Sequence, residues 1–324
     1  MKRRKLGNTG LEVSPLALGG NVFGWTVDEQ TAFKILDAFV DAGLNLIDTA
    51  DTYSRWVAGN KGGESETIIG TWLKKSGKRD RVVIATKVGS DMGLGKKGLT
   101  KTYILRAVED SLQRLQTDVI DLYQSHKDDP GTSMEDTLEA YSTLMKQGKV
   151  RAIGASNFST ERLSESLRES ARLGLPAYQS LQPRYNLYDR SEFEQTLEPL
   201  CREKGLGVIT YYSLASGFLS GKYRGEKDLA KSIRGQGTRI YLNVRGFRIL
   251  DALDESARRL HAAPASIALA WLMARPVVTA PIASATSVEQ LKELAAAVTL
   301  SLDALTVRLL DQASAYDEAL PLTG

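Results

Sequence analysis

The sequence predicts an α/β fold, a (β/α)8 barrel of the TIM type, and three observations carry that prediction. Short apolar runs rich in β-branched residues alternate with amphipathic helical stretches along almost the whole chain, the pattern of a parallel sheet covered by helices. The alternation yields eight strand-like runs, and right-handed crossovers repeated eight times close a sheet on itself. No G-x-G-x-x-G turn follows an early strand, as a doubly wound open sheet would normally show.

The elements follow in order. Residues 1–15 read as a β-hairpin turning at Gly7-Asn8-Thr9-Gly10 and placed to plug the barrel floor. The first strand is Leu16–Gly20, and Phe33, Ile35, Leu36, Phe39 and Val40 give the next helix, Asp28–Ala42, its apolar face. Asn45–Ala50 and Ser65–Lys75 form the second unit, Val82–Val88 and Thr102–Leu115 the third, and Val119–Gln124 and Met134–Gln147 the fourth. Val150–Ala155 precedes a helix over Glu161–Leu173, and Ala177–Leu181 precedes one over Phe193–Lys204. Gly207–Tyr212 is the seventh strand and Val278–Ile282 the eighth, with Val288–Ala297 as its helix. Between them lies a long loop after strand seven, residues 214–245, rich in Gly, Lys and Arg; a loop that long is usually functional. Leu302–Ala315 is a final amphipathic helix, taken to pack on its own barrel; nothing in the sequence fixes an oligomeric state. No repeat or linker divides the chain, so residues 1–324 read as one barrel domain. A rule of roughly 150 residues per domain argues for two, but α/β barrels routinely exceed it.

Composition narrows the class. The chain is 42% hydrophobic and 25% charged, with a formal net charge of +3 and both signs interspersed. That supports a large core and offers no basic stripe for nucleic acid. A single cysteine, Cys201, allows no internal disulfide and fits a reducing compartment. The start, Met1-Lys2-Arg3-Arg4-Lys5, is basic like the front of a signal peptide, but Leu6–Pro15 lacks an apolar core. No run approaches the roughly 20 apolar residues that span a bilayer. The expectation is a soluble cytoplasmic protein with neither membrane nor nucleic-acid partner.

In such a barrel chemistry sits at the carboxyl ends of the strands. Asp48 closes Asn45-Leu46-Ile47, with Tyr53 five residues on; Lys87 ends Val83-Ile84-Ala85-Thr86; His126 follows Asp121-Leu122-Tyr123-Gln124-Ser125. Singly, each has an ordinary explanation: a helix-capping Asp, a solvated Lys, a core His. Jointly they follow strands two, three and four, whose ends converge. A Lys beside a Tyr lowers the phenol pKa from about 10 toward working pH, and a carboxylate keeps that Lys charged. The Tyr is then a general acid for a carbonyl oxygen as hydride reaches carbon.

Gly43-Leu44-Asn45-Leu46-Ile47-Asp48-Thr49-Ala50-Asp51-Thr52-Tyr53, followed by Gly63-Glu64-Ser65-Glu66, resembles the signature of the aldo-keto reductase superfamily. Further matches run in order: Thr86-Lys87, Asp121 to His126, Gly154-Ala155-Ser156-Asn157-Phe158, Gln182-Pro183-Arg184-Tyr185-Asn186, and Tyr212-Ser213 leading into Gly217-Phe218-Leu219-Ser220-Gly221-Lys222. The resemblance implies a tetrad. Tyr53 donates the proton, Lys87 depresses its pKa, Asp48 pairs with Lys87, and His126 orients the substrate carbonyl. It also implies a nicotinamide cofactor, NADPH by family habit with NADH possible. Ser156, Asn157 and Gln182 match residues that hold its carboxamide, and Tyr212 matches an aromatic that stacks on its ring. Ser213, Leu214, Gly217, Leu219, Gly221 and Lys222 resemble the loop over the pyrophosphate, where small residues let backbone N–H groups approach phosphate.

The pattern departs near the carboxyl end. In Pro281-Ile282-Ala283-Ser284-Ala285-Thr286-Ser287-Val288-Glu289-Gln290, Thr286 stands where relatives often place the Lys or Arg that grips the 2′-phosphate, and Leu294 replaces a common Asn. Ser284 and Thr286 offer hydrogen bonds without charge, Gln290 and Glu293 stand as adenine contacts, and Arg234, Arg239 or Arg245 of the long loop can compensate. Phe23, Trp25 and Trp56 are placed to wall a pocket for a small-molecule carbonyl substrate. Two alternatives stand beside the reductase. One is a cofactor-binding regulatory subunit resembling potassium-channel β subunits, against which the lack of an obvious partner-binding extension weighs. The other is a metal-dependent hydrolase, disfavoured because only two histidines exist; no metal site is expected.

Overall fold

The computed structural model describes residues 2–93 and 95–316 and closes the barrel. Within those residues a two-stranded antiparallel hairpin, β1 (Arg4–Lys5) and β2 (Glu12–Val13), precedes eight parallel strands. These are β3 (Ala17–Gly19), β4 (Leu46–Asp48), β5 (Val83–Val88), β6 (Ile120–Ser125), β7 (Val150–Ser156), β8 (Ser180–Gln182), β9 (Gly207–Thr210) and β10 (Val278–Ala283). Each pairs with its neighbour in chain order, and β10 returns to β3 through Ile282 opposite Ala17.

Helices α1 (Glu29–Asp41), α2 (Glu64–Ser76), α3 (Lys101–Leu115), α4 (Met134–Lys146) and α5 (Thr160–Leu173) start largely where a capping side chain is available. Asp28, Thr100, Ser133 and Ser159 each accept from a first-turn amide of α1, α3, α4 and α5, satisfying donors that the helix itself leaves unpaired. The sixth helix splits into a π-helical turn over Phe193–Leu197 and α6 (Glu198–Lys204). Helices α9 (Val288–Ala296) and α10 (Ala304–Ser314) follow the eighth strand and are capped by Ser287 and Asp303.

The region between β9 and β10 holds more than the sequence reading gave it. Residues 214–245 are a chain of 3-10 turns, and two further helices follow: α7 (Val244–Leu260) and α8 (Pro264–Met273). Every residue of α8 from Ala265 to Met273 is buried. A helix apolar all round shows no 3.6-residue stripe, which is why periodicity did not register it. Among the described residues no helix is long and apolar enough to cross a membrane.

Strand alternation divides the interior into layers. Leu46, Val83, Ala85, Leu122, Ala152, Ile209 and Ala280 point into the lumen, where Leu6 and Val13 of the hairpin join them. The hairpin therefore plugs the floor. Gly7 makes that approach possible: its φ is +53°, and a Cβ there would lie 2.1 Å from the Gln179 carbonyl oxygen. Two residues beyond Leu46, Ala85 and Leu122, the period-2 pattern brings Asp48, Lys87 and Gln124 into the lumen above the apolar layer.

Candidate active site

The polar layer is built from four strand ends. Lys87 on β5 donates from Nζ to Asp48 Oδ2 at 2.7 Å, to the Thr49 carbonyl at 2.8 Å and to the Tyr53 hydroxyl at 2.9 Å. Lys87 and Asp48 side chains are 1% and 2% exposed, so the ion pair lies in a medium where charge is costly unless fully bonded. It is fully bonded. All three ammonium protons have acceptors, and Gln182 Nε2 donates to the other Asp48 oxygen at 2.8 Å. The Tyr53 hydroxyl donates to Asp48 Oδ2 at 3.2 Å.

The electrostatics correct one expectation. Burial pushes the Tyr53 phenol well above its usual range, and the nearby Asp48 carboxylate pushes it further the same way. Lys87 itself is lowered, by burial, with Asp48 opposing. Desolvation and the neighbouring carboxylate outweigh the ammonium's pull on a phenolate. Tyr53 is therefore held protonated, with the Lys87 ammonium 2.9 Å from its hydroxyl.

His126 completes one wall. Its ring centroid lies 6.0 Å from that of Tyr53, and its backbone amide donates to the Val88 carbonyl. Burial, with Lys87 and Lys127 adding repulsion, lowers its pKa to about 3. The imidazole is thus neutral across the physiological range, a dipolar hydrogen-bonding group with no net charge. Trp56, 51% exposed, packs edge-on against both Tyr53 and Trp25, with centroids 6.1 and 5.6 Å apart. Phe23 does not join them. It is fully buried among the barrel–helix core residues and receives the Ser54 hydroxyl on its carbonyl, so its role is packing.

The remaining predicted residues fall into two groups. Ser156, Asn157 and Gln182 meet at the ends of β7 and β8: Ser156 donates to the Gln182 carbonyl at 2.9 Å, and Asn157 Nδ2 lies 3.1 Å from Ser156 Oγ. Tyr212, 43% exposed, presents its ring beside the Arg184 guanidinium, 4.6 Å from the centroid. Asn157, Tyr212, Ala215 and Ser216 all adopt positive φ, a conformation that costs Tyr, Ala or Ser about 1–2 kcal/mol and that Asn adopts more readily. In the following turns Gly217 and Leu219 donate to the Leu214 carbonyl, and Gly221 to that of Phe218. These three amides are turned into the loop itself, contrary to the expectation that they face a phosphate. Ser213 is buried against Thr210, and Leu219 sits in the core.

Positive charge is nonetheless present there. Neither Lys222 nor Arg234 has a carboxylate within ion-pair distance among the described residues; Arg234 stacks over Trp25 at 5.9 Å. Arg239, by contrast, pairs with Glu226, and Arg245 donates to the carbonyls of Ser314 and Tyr188. After the neighbouring strand β10, Ser284 bonds Asn21 at 2.6 Å, and Gln290 Oε1 accepts from both the amide and the hydroxyl of Thr286. Glu293 is exposed at the surface of α9, and Leu294 is buried beneath it.

Three neighbours were not singled out from the sequence. Gln124 shares the lumen layer, its Oε1 3.3 Å from Gln182 Nε2 and its own amide nitrogen unpartnered among the described residues. Gly154 leaves room for it, since a Cβ there would lie 3.1 Å from Gln124 Cγ. Strand alternation applied to the quoted motifs would have found both. Tyr211 is the third, and its hydroxyl donates to Asn157 Oδ1 at 2.7 Å.

Comparisons with known proteins agree with this architecture. The model of the aldo/keto reductase family matches residues 15–315. The chain is 39% identical to a Bacillus subtilis protein named uncharacterized oxidoreductase YrpG over 96% of this chain and 95% of that one. It is 33% identical to Protein tas of Escherichia coli over 90% and 91% of the two chains. It is 31% identical to a probable voltage-gated potassium channel subunit beta of Oryza sativa over 99% and 98%.

Proposed function

The chain belongs to the aldo/keto reductase family, and from that premise we propose that it is an NAD(P)H-dependent oxidoreductase reducing aldehydes or ketones to alcohols, with Tyr53 as the general acid. The observation that carries the proposal is the buried Asp48–Lys87–Tyr53 constellation, with every ammonium proton bonded and the phenol held protonated.

The residues present suit a nicotinamide dinucleotide. An exposed aromatic face at Tyr212, amide and hydroxyl groups at Ser156, Asn157 and Gln182, and two cations without carboxylate partners among the described residues, Lys222 and Arg234, supply a stacking surface, an amide seat and charge for phosphates. Bound there, the cofactor supplies a hydride to the carbonyl carbon. The chain's part is placement and proton delivery. His126, neutral, holds the carbonyl oxygen by a hydrogen bond without transferring charge to it. As negative charge grows on that oxygen, Tyr53 gives up its proton, because an alkoxide is a stronger base than a phenolate. Lys87 then stabilises the phenolate across 2.9 Å, donors fixed in advance being worth most in such a dry site. Asp48 and Gln182 keep the ammonium from turning away. In this reading Trp25 and Trp56, edge to face beside Tyr53, supply the aromatic wall for the substrate.

NADPH is the preferred form in this reading by the habit of the family, with Thr286 supplying hydrogen bonds and no charge to the 2′-phosphate. Spectrophotometric oxidation of NADPH and NADH against a panel of aldehydes, ketones and sugars tests activity and cofactor together. Thr286→Arg is expected to raise the NADPH over NADH ratio of specificity constants about tenfold through a charge-assisted contact; an unchanged ratio removes position 286 from the 2′-phosphate site. The potassium-channel relatives support a second reading as a regulatory subunit. It predicts tight cofactor binding with no turnover across the panel.

A further inference from the structure

We infer that Tyr211 is a positioning residue whose hydroxyl locks the side-chain amide of Asn157 in the orientation that receives the cofactor's carboxamide. The inference rests on the proposed cofactor site and adds to it a residue from the lumen side of the barrel.

Tyr211 follows β9, where Ile209 points into the lumen. Continuing the alternation sends Tyr211 the same way, and its ring packs on the lumen cluster. The backbone is fixed by extended pairing with the segment after β8: Tyr211 N donates to the Pro183 carbonyl at 3.0 Å, and Tyr185 N to the Tyr211 carbonyl at 3.4 Å. Ring and backbone both being held, the hydroxyl has a defined place. It lies 2.7 Å from Asn157 Oδ1 and close enough to Tyr53 to bear on that phenol.

Asn157 is the reason this contact matters. Its backbone sits at φ +56°, a left-handed conformation that asparagine adopts more readily than other residues bearing a Cβ, and its side-chain amide is held by three contacts. Nδ2 donates to the His126 carbonyl at 2.8 Å and to Ser156 Oγ at 3.1 Å. A primary amide has two N–H donors and two acceptor lone pairs. Both donors are used on the β6–β7 side, and Tyr211 takes one lone pair. What remains is a single acceptor position, aimed by three contacts, and an acceptor is what an N–H of a carboxamide needs. A flipped amide would set the Asn157 oxygen against the His126 carbonyl oxygen and break the Tyr211 bond in the same movement. Tyr211 is the one donor reaching Asn157 Oδ1 among the described residues. The chain Tyr211–Asn157–His126 thus ties the amide seat to the backbone of the residue that faces the substrate.

The test is a double-mutant cycle on cofactor binding, read by fluorescence of NADPH titrated into the whole protein. Wild type, Tyr211→Phe, Asn157→Ala and the double variant are compared, with thermal melts of each without cofactor. Tyr211→Phe removes one oxygen and leaves the ring packing, so its melting temperature is expected to match wild type. Its Kd for NADPH is expected to rise about three- to tenfold, the size of one net hydrogen bond. In the Asn157→Ala background the same change is expected to add nothing, because the hydroxyl acts through Asn157. Equal Kd values for wild type and Tyr211→Phe, or penalties that simply multiply in the double variant, overturn the inference. Failure of wild type to bind NADPH at all overturns the underlying cofactor reading, and is distinguished by appearing before any substitution is made.

Discussion

The floor of this barrel is apolar and tightly stoppered, whereas its top gathers buried charge and left-handed backbone. At the floor, Leu6 and Val13 seal a lumen of Leu, Val, Ala and Ile side chains. At the top, two residues further along the strands, the lumen holds Asp48, Lys87, Gln124 and Gln182. Among the described residues, seven other than glycine have positive φ. Gln116 and His261 terminate helices, where that conformation is ordinary. The other five, Ser54, Asn157, Tyr212, Ala215 and Ser216, lie in loops beyond the carboxyl ends of strands. The contrast teaches a division of labour. The floor contributes stability that the top spends on holding charges and strained turns in place.

That division can be broken from either end. The largest effect on stability is expected from the floor. Gly7→Ala places a Cβ 2.1 Å from a backbone oxygen at φ +53° and should cost about 2–4 kcal/mol from backbone strain and overpacking together. Urea denaturation measures it, and kcat/KM of the folded fraction should stay at the wild-type value. Loss of catalysis without loss of stability would show that the two ends are not separable.

A smaller effect is expected from pH at the top. His126 is depressed from 6.5 to about 3 in the folded protein. Between those values the unfolded chain binds a proton that the folded chain refuses, so stability rises with pH there and falls as pH drops from 6.5 toward 3. His126→Gln should flatten that segment of the stability–pH curve, as read by thermal melts at successive pH values. A curve of unchanged slope would mean that His126 titrates normally, and the neutral-imidazole role would fall with it.

The fold was legible where amphipathic patterning is strong. Strands four and five of the sequence reading begin and end within a residue or two of the observed β6 and β7, because their apolar runs are bounded by Asp118 on one side and by Asn157 on the other. It was illegible where burial is total, as in α8, whose faces are all apolar. Asp48, Lys87 and His126 stand at or just past strand ends and Tyr53 follows Asp48 by five residues, so their convergence on one layer was legible from where a barrel gathers its strand ends. The direction of the Tyr53 shift was not, since it depends on desolvation, a property of the assembled layers that no spacing of residues encodes. Phe23 and Tyr211 make the same point in opposite directions. Both are aromatic and follow barrel strands, yet the 3-10 turn after β3 sends Phe23 into the core while the alternation of β9 sends Tyr211 toward Asn157.

The claim that the buried top does the chemistry is tested most directly by Tyr53→Phe, assayed in single turnover with NADPH and an aldehyde, alongside NADPH affinity. Removal of the one positioned proton donor is expected to slow reduction by about 10²–10⁴-fold while the Kd for NADPH stays within about twofold of wild type. A variant that binds NADPH normally and still reduces the aldehyde at most of the wild-type rate would contradict the account.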